Sequence, residues 1–389
     1  MENKILIIDW SMIAQSRTYS LLSGHEPLLR ATDIEEVRYR MTRDVWQILD
    51  LVKPTMTIIA KDYKINGVRQ YWRGPFLAEY HKKNTEKYIS EAHEKCYYRF
   101  DNVIYPETNS FPVQLGKKLT KKEIPKDLQL VSHWDRDRIE DFAPTYKGNR
   151  VGDWVFETPK EEFTKLYNEL AKDLSQIIPN CRVVEAPHAE ADDIAGVLTC
   201  KAPGVEHVLV TGDGDWHQLA SEKVTIRNHI SFELLDKPLP DIAVQLQEKL
   251  VAGDSGDNIK GTYIEGASGC LGATKAKKIV AEGLQHTLNQ ASYERNKRLI
   301  LLDLDNIPKF VQDSVLTTLR GAKVGLNPEL SWEKLGLNLK EQAILTKSGD
   351  IFGQKFERTP SHPSGASKDT ERTMEEIEAD FNACFDPPF

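Results

Sequence analysis

Four short runs rich in β-branched residues, Ile5 to Ile8, Met56 to Ala60, Cys181 to Val184 and His207 to Val210, constrain the fold of this chain more than any other feature. Runs this brief suit buried strands better than helices. The first two are separated by a long helical pattern with Val37, Met41, Val45, Ile48 and Val52 on one face. A further helix is expected to start near Ala189, between the last two. Parallel neighbours need a crossover connection, usually helical, so this alternation implies a parallel sheet. The expected fold class is α/β: a twisted, mostly parallel, doubly wound sheet flanked by helices. In such folds ligands gather at the carboxyl ends of the strands.

With 389 residues, 40% of them hydrophobic, the chain can bury one large α/β core and a smaller unit. Between Arg73 and about Asp153 no period is sustained, and a stretch of that length is expected to be functional. Beyond Asp254 the sequence is glycine-rich and then helical, through Thr274 to Glu282 and Pro308 to Arg320. We expect a core over 1–235 with an insert at about 73–153, a helical subdomain over 236–356, and a disordered acidic tail over 357–389. No apolar run approaches the roughly 18 residues of a membrane span, and a soluble, cytoplasmic monomer is expected. The five cysteines are scattered, with no pair at disulfide-framework or zinc spacing.

A net charge of −8 looks unfavourable for a nucleic-acid partner. Its distribution changes that reading. From Glu357 onward there are eight acids and three bases, so the rest of the chain carries only −3. Bases cluster elsewhere, as at Lys117, Lys118, Lys121 and Lys122, although such a run also suits a solvated face.

The acids are the chemically informative residues. Asp9 closes the first strand and Asp62 lies just past the second, so a parallel sheet brings both to one edge. Asp213 and Asp215 flank a glycine after another strand. Glu190, Asp192 and Asp193 stand at a helix start, and Asp254 and Asp257 lie in a glycine-bounded turn. Each cluster alone has an ordinary explanation as a cap or turn. If the fold gathers all nine, their repulsion calls for divalent cations. Oxygen-only ligands indicate Mg²⁺, with Mn²⁺ able to substitute, and no histidine pair suggests zinc. Two such ions about 4 Å apart would support phosphodiester hydrolysis.

The order Asp9, Asp62, EADD (190 to 193), DGD (213 to 215) and GDSGDN (253 to 258) resembles the metal ladder of the 5′-nucleases. That family includes flap endonucleases, the 5′-nuclease domain of bacterial DNA polymerase I, and phage 5′-exonucleases and ribonuclease H. The likeness spans residues 4 to 320, and ERNKRLILLDLDNIP (294 to 308) is most similar to the phage branch. It implies a PIN-like core with a helical arch, acting on DNA or RNA:DNA hybrids at 5′ ends or flaps in replication or repair. It also implies that Asp9, Asp62, Glu190, Asp192 and Asp213 hold a tighter metal, and Asp193, Asp215, Asp254 and Asp257 a second.

TYKGNR (145 to 150), preceded by Arg138 and Phe142, is similar to the family's arch motif, which implies that Lys147 and Arg150 contact the scissile phosphate and that Arg138 and Tyr146 lie near the substrate. Arg69 and Arg73 follow Asp62 at about the distance of a substrate-side arginine. In the family GDSGDN opens a helix-hairpin-helix unit that grips duplex DNA, often with a potassium ion. Here Gly269, Gly272 and Lys275 could present amides and charge to phosphate. The stretch Gly261 to Lys275 is longer than the family's usual hairpin, which bears most on the potassium site. The tail DFNACFDPPF resembles the tip of bacterial single-strand DNA-binding proteins, which implies partners among replication proteins. A PIN-like ribonuclease and a catalytically inactive structure-specific binding protein are the alternatives. A phosphatase with Asp9 as nucleophile is disfavoured, because Ser11 stands where a second acid is needed.

Overall fold

The computed structural model describes residues 3–22, 31–65, 68–100, 102–107, 119–134, 146–147, 160–235, 238–265 and 269–337. The tail sequence 357–389, Arg138, Phe142 and Arg150 lie outside the described residues. In chain order the elements are β1 (Lys4–Asp9), α1 (Trp10–Leu22), α2 (Ala31–Val52), β2 (Met56–Ala60), β3 (Lys64–Ile65), β4 (Val68–Arg69) and α3 (Arg73–Asn84). Next come β5 (Glu86–Ser90), β6 (Lys95–Phe100), β7 (Val103–Pro106), β8 (Gln129–Leu130), α4 (Lys160–Ile177), β9 (Cys181–Val184), α5 (Ala191–Lys201), β10 (Glu206–Thr211) and β11 (Val224–Asn228). The series closes with α6 (Leu239–Ala252), α7 (Ala273–Ala281), α8 (Gln290–Ile300) and α9 (Lys309–Gly321). Two compact units emerge, one drawn from 1–70, 153–236 and 302 onward, the other from 71–152 and 237–301.

The first unit is built on a five-stranded parallel sheet in the order β11-β10-β1-β2-β9. The strand positions and the parallel pairing agree with the sequence reading. β1 is central. The chain adds β2 and β9 on one side and then returns to place β10 and β11 on the other, so the strand order reverses between β1 and β10. Crevices of this kind, at the carboxyl ends of strands, are where α/β folds bind ligands. Val37, Met41, Val45, Ile48 and Val52 of α2 are buried against one face of the sheet together with Phe163, Leu166, Leu170 and Leu174 of α4. α5 and α9 pack together, and α5 also meets β1 and β2.

α1 carries no clear periodic signal in the sequence. Its inward face runs through Trp10, Ile13, Ala14 and Thr18, and the threonine interrupts the apolar period. Thr18 is accommodated by donating to the Ala14 carbonyl at 2.9 Å and by a short contact with the Tyr167 hydroxyl.

The second unit joins an antiparallel sheet, β7-β6-β5-β8, to α3 and to α6, α7 and α8. The sheet occupies part of the stretch where the sequence shows no period. In β6, Tyr97 and Tyr98 are adjacent and both buried, on opposite faces, which erases the alternation that marks a half-buried strand. The region expected to carry the arch motif is described only at Tyr146 and Lys147. α6 and α7 pack against each other across the loop that contains GDSGDN, and α6 also packs on α8. α9 lies within the first unit, against α5 and β9. Among the described residues no helix is long and apolar enough to cross a membrane.

Candidate metal centre

In the first unit the acids gather at the carboxyl edge of the sheet. Asp9 is the last residue of β1, beside Ala60 of β2, and is buried. Its Oδ2 accepts from the Thr211 hydroxyl at 2.8 Å and its Oδ1 from the Met12 amide at 3.1 Å. Thr211 ends β10, and its Oγ1 accepts in turn from the Asp213 amide at 3.0 Å. Asp213 caps a 3₁₀ turn, Gly214–Leu219, by accepting from the Asp215 amide at 2.9 Å. One threonine therefore ties the strand that carries Asp9 to the turn that carries Asp213 and Asp215.

Asp62 and the EADD acids join the same edge. Asp62 Oδ1 accepts from the Ala191 amide at 3.1 Å, at the start of α5, and Oδ2 from the Ser11 hydroxyl at 3.3 Å. Asp192 Oδ1 accepts from the indole nitrogen of the buried Trp216 at 2.7 Å. Asp193 is buried and takes the Glu190 amide at 2.9 Å, so it serves helix capping as well as adding charge. The electrostatics agree with the geometry. Burial, the charge of Asp62 and, more weakly, that of Asp213 push the Asp9 carboxyl up to about 7, against the lowering effect of the Thr211 and Met12 hydrogen bonds.

In the second unit Asp254 and Asp257 have partners of their own. Asp254 Oδ1 accepts from the amides of Gly256 at 2.8 Å and Asp257 at 3.3 Å, and Oδ2 lies 2.7 Å from Lys249 Nζ. Burial raises this carboxyl, but Lys249 and the two amides outweigh it and the net shift is downward. Asp257 is buried, accepts from the Tyr146 hydroxyl at 2.9 Å, and lies 3.7 Å from Lys147 Nζ. The Lys147 amide donates to the Asp257 carbonyl at 2.9 Å. Its ammonium also sits over the rings of Tyr71 at 5.4 Å and Tyr146 at 5.1 Å.

Residues 108–244 match the family of the 5′-3′ exonuclease N-terminal, resolvase-like domain. Over that stretch the chain is similar to the 5′-nuclease family. It is also similar to solved structures of phage T5 proteins. One is the 5′-exonuclease with zinc bound, at 15% identity and a TM-score of 0.45, with 82% of this chain and 98% of that one covered. Another is a flap endonuclease pseudo-enzyme–product complex with DNA and metal ions, at 14% identity and a TM-score of 0.44, covering 82% and 97%. No curated protein matches the sequence.

Several of the expected substrate residues are placed informatively. Arg73 is buried, donates from Nε to the Leu299 carbonyl at 3.0 Å and stacks over Trp72 at 4.9 Å. In that position Arg73 fastens α3 to the end of α8. The Arg69 backbone lies in β4, and its side chain falls outside the described residues. Gly272 caps the N-terminus of α7, Gly269 has a φ of +77°, and Gly272 and Lys275 are exposed. An exposed helix start with a nearby lysine suits an anion.

Sequence reasoning missed the residues that aim the acids. Thr211, Trp216 and Ser11 are each within two residues of a predicted acid, which is the one signal available for them. Lys249 and His229 have no such signal. Gly212 stands against His229: a Cβ at Gly212 would fall 2.2 Å from the buried imidazole. Gly212→Ala is therefore expected to shift the Asp213 loop and to cost about 1–3 kcal/mol, read as a lower denaturation midpoint together with weaker divalent-ion binding.

Proposed function

We propose that this chain is a metal-dependent, structure-specific 5′-nuclease that hydrolyses phosphodiester bonds at or near 5′ ends and flaps of DNA or RNA:DNA duplexes, including RNA-primer removal of the ribonuclease H type. The observation that carries the reading is the meeting of Asp9, Asp62 and Asp213 at one edge of the sheet, where burial and the two neighbouring charges hold the Asp9 carboxyl near 7. Carboxylates so arranged repel one another when ionised, and their oxygen-only chemistry fits Mg²⁺ or Mn²⁺. Asp9, Asp62, Glu190, Asp192 and Asp213 would hold the tighter ion. Asp193, Asp215, Asp254 and Asp257 are proposed to serve the second, the last two on family resemblance. Bound ions of this kind activate water and stabilise a leaving oxygen.

The chain's own residues prepare that chemistry. Thr211 and Met12 fix both oxygens of Asp9, Trp216 aims Asp192, and Ser11 with the α5 amide aims Asp62. Preorganised acids need little rearrangement when cations arrive. Lys147 and Arg150 are proposed to offset charge on the phosphoryl centre. Lys147→Ala should then lower turnover by about 10²–10³; a near-native single-turnover rate would remove the assignment. The broader test is a product map on flap, nicked and RNA-primed duplexes in magnesium, with EDTA as control. Cleavage near 5′ ends supports the proposal, and binding without cleavage on every substrate would leave a structure-specific binding protein.

A further inference from the structure

The loop between α6 and α7 is where the family resemblance implies a potassium ion, and the described residues Lys260 to Tyr263 do not fit one. Their carbonyl oxygens already have donors. Arg295 Nη2 donates to the carbonyls of Lys260 at 2.7 Å and Gly261 at 3.3 Å. Asn296 Nδ2 donates to those of Leu250 at 2.8 Å and Lys260 at 3.1 Å. The Thr262 carbonyl takes the Leu271 amide at 2.7 Å, and the Tyr263 carbonyl takes the Asn289 amide at 2.8 Å. Gly261 is wedged so closely that a Cβ would lie 2.1 Å from the Leu271 oxygen. Among the described residues, therefore, the carbonyls from Lys260 to Tyr263 are all engaged.

The group at the centre of this arrangement is itself a cation. Arg295 is 2% exposed and Asn296 is fully buried. Arg295 Nε donates to Asn296 Oδ1 at 2.9 Å, which orients the amide toward the carbonyls, and the guanidinium lies 5.1 Å from the Tyr80 ring centroid. A guanidinium stays charged in any protein, and carbonyl dipoles and a ring face are suited to solvate it. His81 reports the same positive environment: burial first, then Arg295 and Lys260, lower its imidazole to about 2. An added alkali ion would have to displace two side chains and face that charge.

We propose that Arg295, oriented by Asn296, is a built-in cation that fixes the α6–α7 loop, so that this loop engages duplex DNA without potassium. The duplex contact rests on the nuclease reading; the cation replacement does not. Burying a charge among carbonyls leaves those oxygens unsatisfied when the charge is removed, so its loss should create a demand for another cation.

The test uses the full chain and its Arg295→Ala and Arg295→Lys variants in chlorides of potassium, sodium and tetramethylammonium at equal ionic strength. Thermal midpoints are read without DNA, and nicked-duplex affinity by anisotropy in EDTA. The native chain should bind with affinities within about twofold in all three salts, after matching for the general salt effect. Arg295→Ala should bind about tenfold more weakly and recover both midpoint and affinity with potassium or added guanidinium ion, while Arg295→Lys keeps most of the native affinity. A native chain several-fold tighter in potassium than in sodium would overturn the proposal, as would a folded Arg295→Ala that no cation rescues. If Arg295→Ala does not fold, the native salt series and Arg295→Lys decide. If no form binds duplex in any salt, the nuclease reading loses its DNA contact, and the thermal midpoints still decide the cation replacement.

Discussion

Asp213→Asn and Asp192→Asn are each expected to abolish magnesium-dependent cleavage, by a factor on the order of 10³ or more, while duplex affinity changes little. Asparagine keeps an acceptor oxygen for the Asp215 amide at position 213 and for the Trp216 indole at position 192, so the local hydrogen bonds survive. What is lost is one negative charge where divalent ions are proposed to sit. Charge at such a centre serves the chemical step more than docking, so the loss should fall on turnover. Single-turnover cleavage on a 5′-flap substrate, paired with anisotropy on the same duplex, separates the two. Equal losses in rate and affinity would contradict the assignment, and unimpaired cleavage would move the chemistry away from this edge of the sheet.

Asp9→Asn should make the metal-free protein more stable above neutral pH while abolishing its activity. Folded, Asp9 keeps its proton up to about pH 7, whereas an ordinary aspartate releases it near 3.8. Between those values the folded chain binds a proton that the unfolded chain releases, so stability falls as pH rises through the window and the penalty is complete above it. At about 1.4 kcal/mol for each tenfold change in proton affinity, the penalty is on the order of 4 kcal/mol. An asparagine in its place carries no ionisable group, and the Thr211 hydroxyl can turn to accept from the new amide. Denaturation midpoints from about pH 4 to about pH 8 in EDTA, a range that brackets the window, should slope downward for the native chain and run flatter for the variant. Added Mg²⁺ should raise the native midpoint at the alkaline end far more than that of the variant. Parallel curves would mean that Asp9 is not held in a crowded acidic field.

Much of the first unit was legible because its signals are local. Val37 to Val52 repeat at helical spacing, the strands are short and β-branched, and EADD opens a helix after a strand. Asp9 and Asp62 could be assigned to one edge since parallel strands share a direction. The second unit was less legible for a physical reason. Its sheet has adjacent buried tyrosines, Tyr97 and Tyr98, on opposite faces, and its core is closed by residues far apart in the chain.

Sequence alone determined the parallel α/β core, the acidic set at the strand ends and the family resemblance, since strand period, helix period and motif spacing are properties of neighbouring residues. Tertiary structure alone decided what each polar group faces. It put Arg73 and Arg295 inside the second unit against carbonyls, paired Asp257 with Tyr146 and Lys147, and set Thr211 between Asp9 and Asp213. A charge in a sequence carries no record of its surroundings, and burial together with the partner it meets determines whether it anchors the fold or remains available for chemistry.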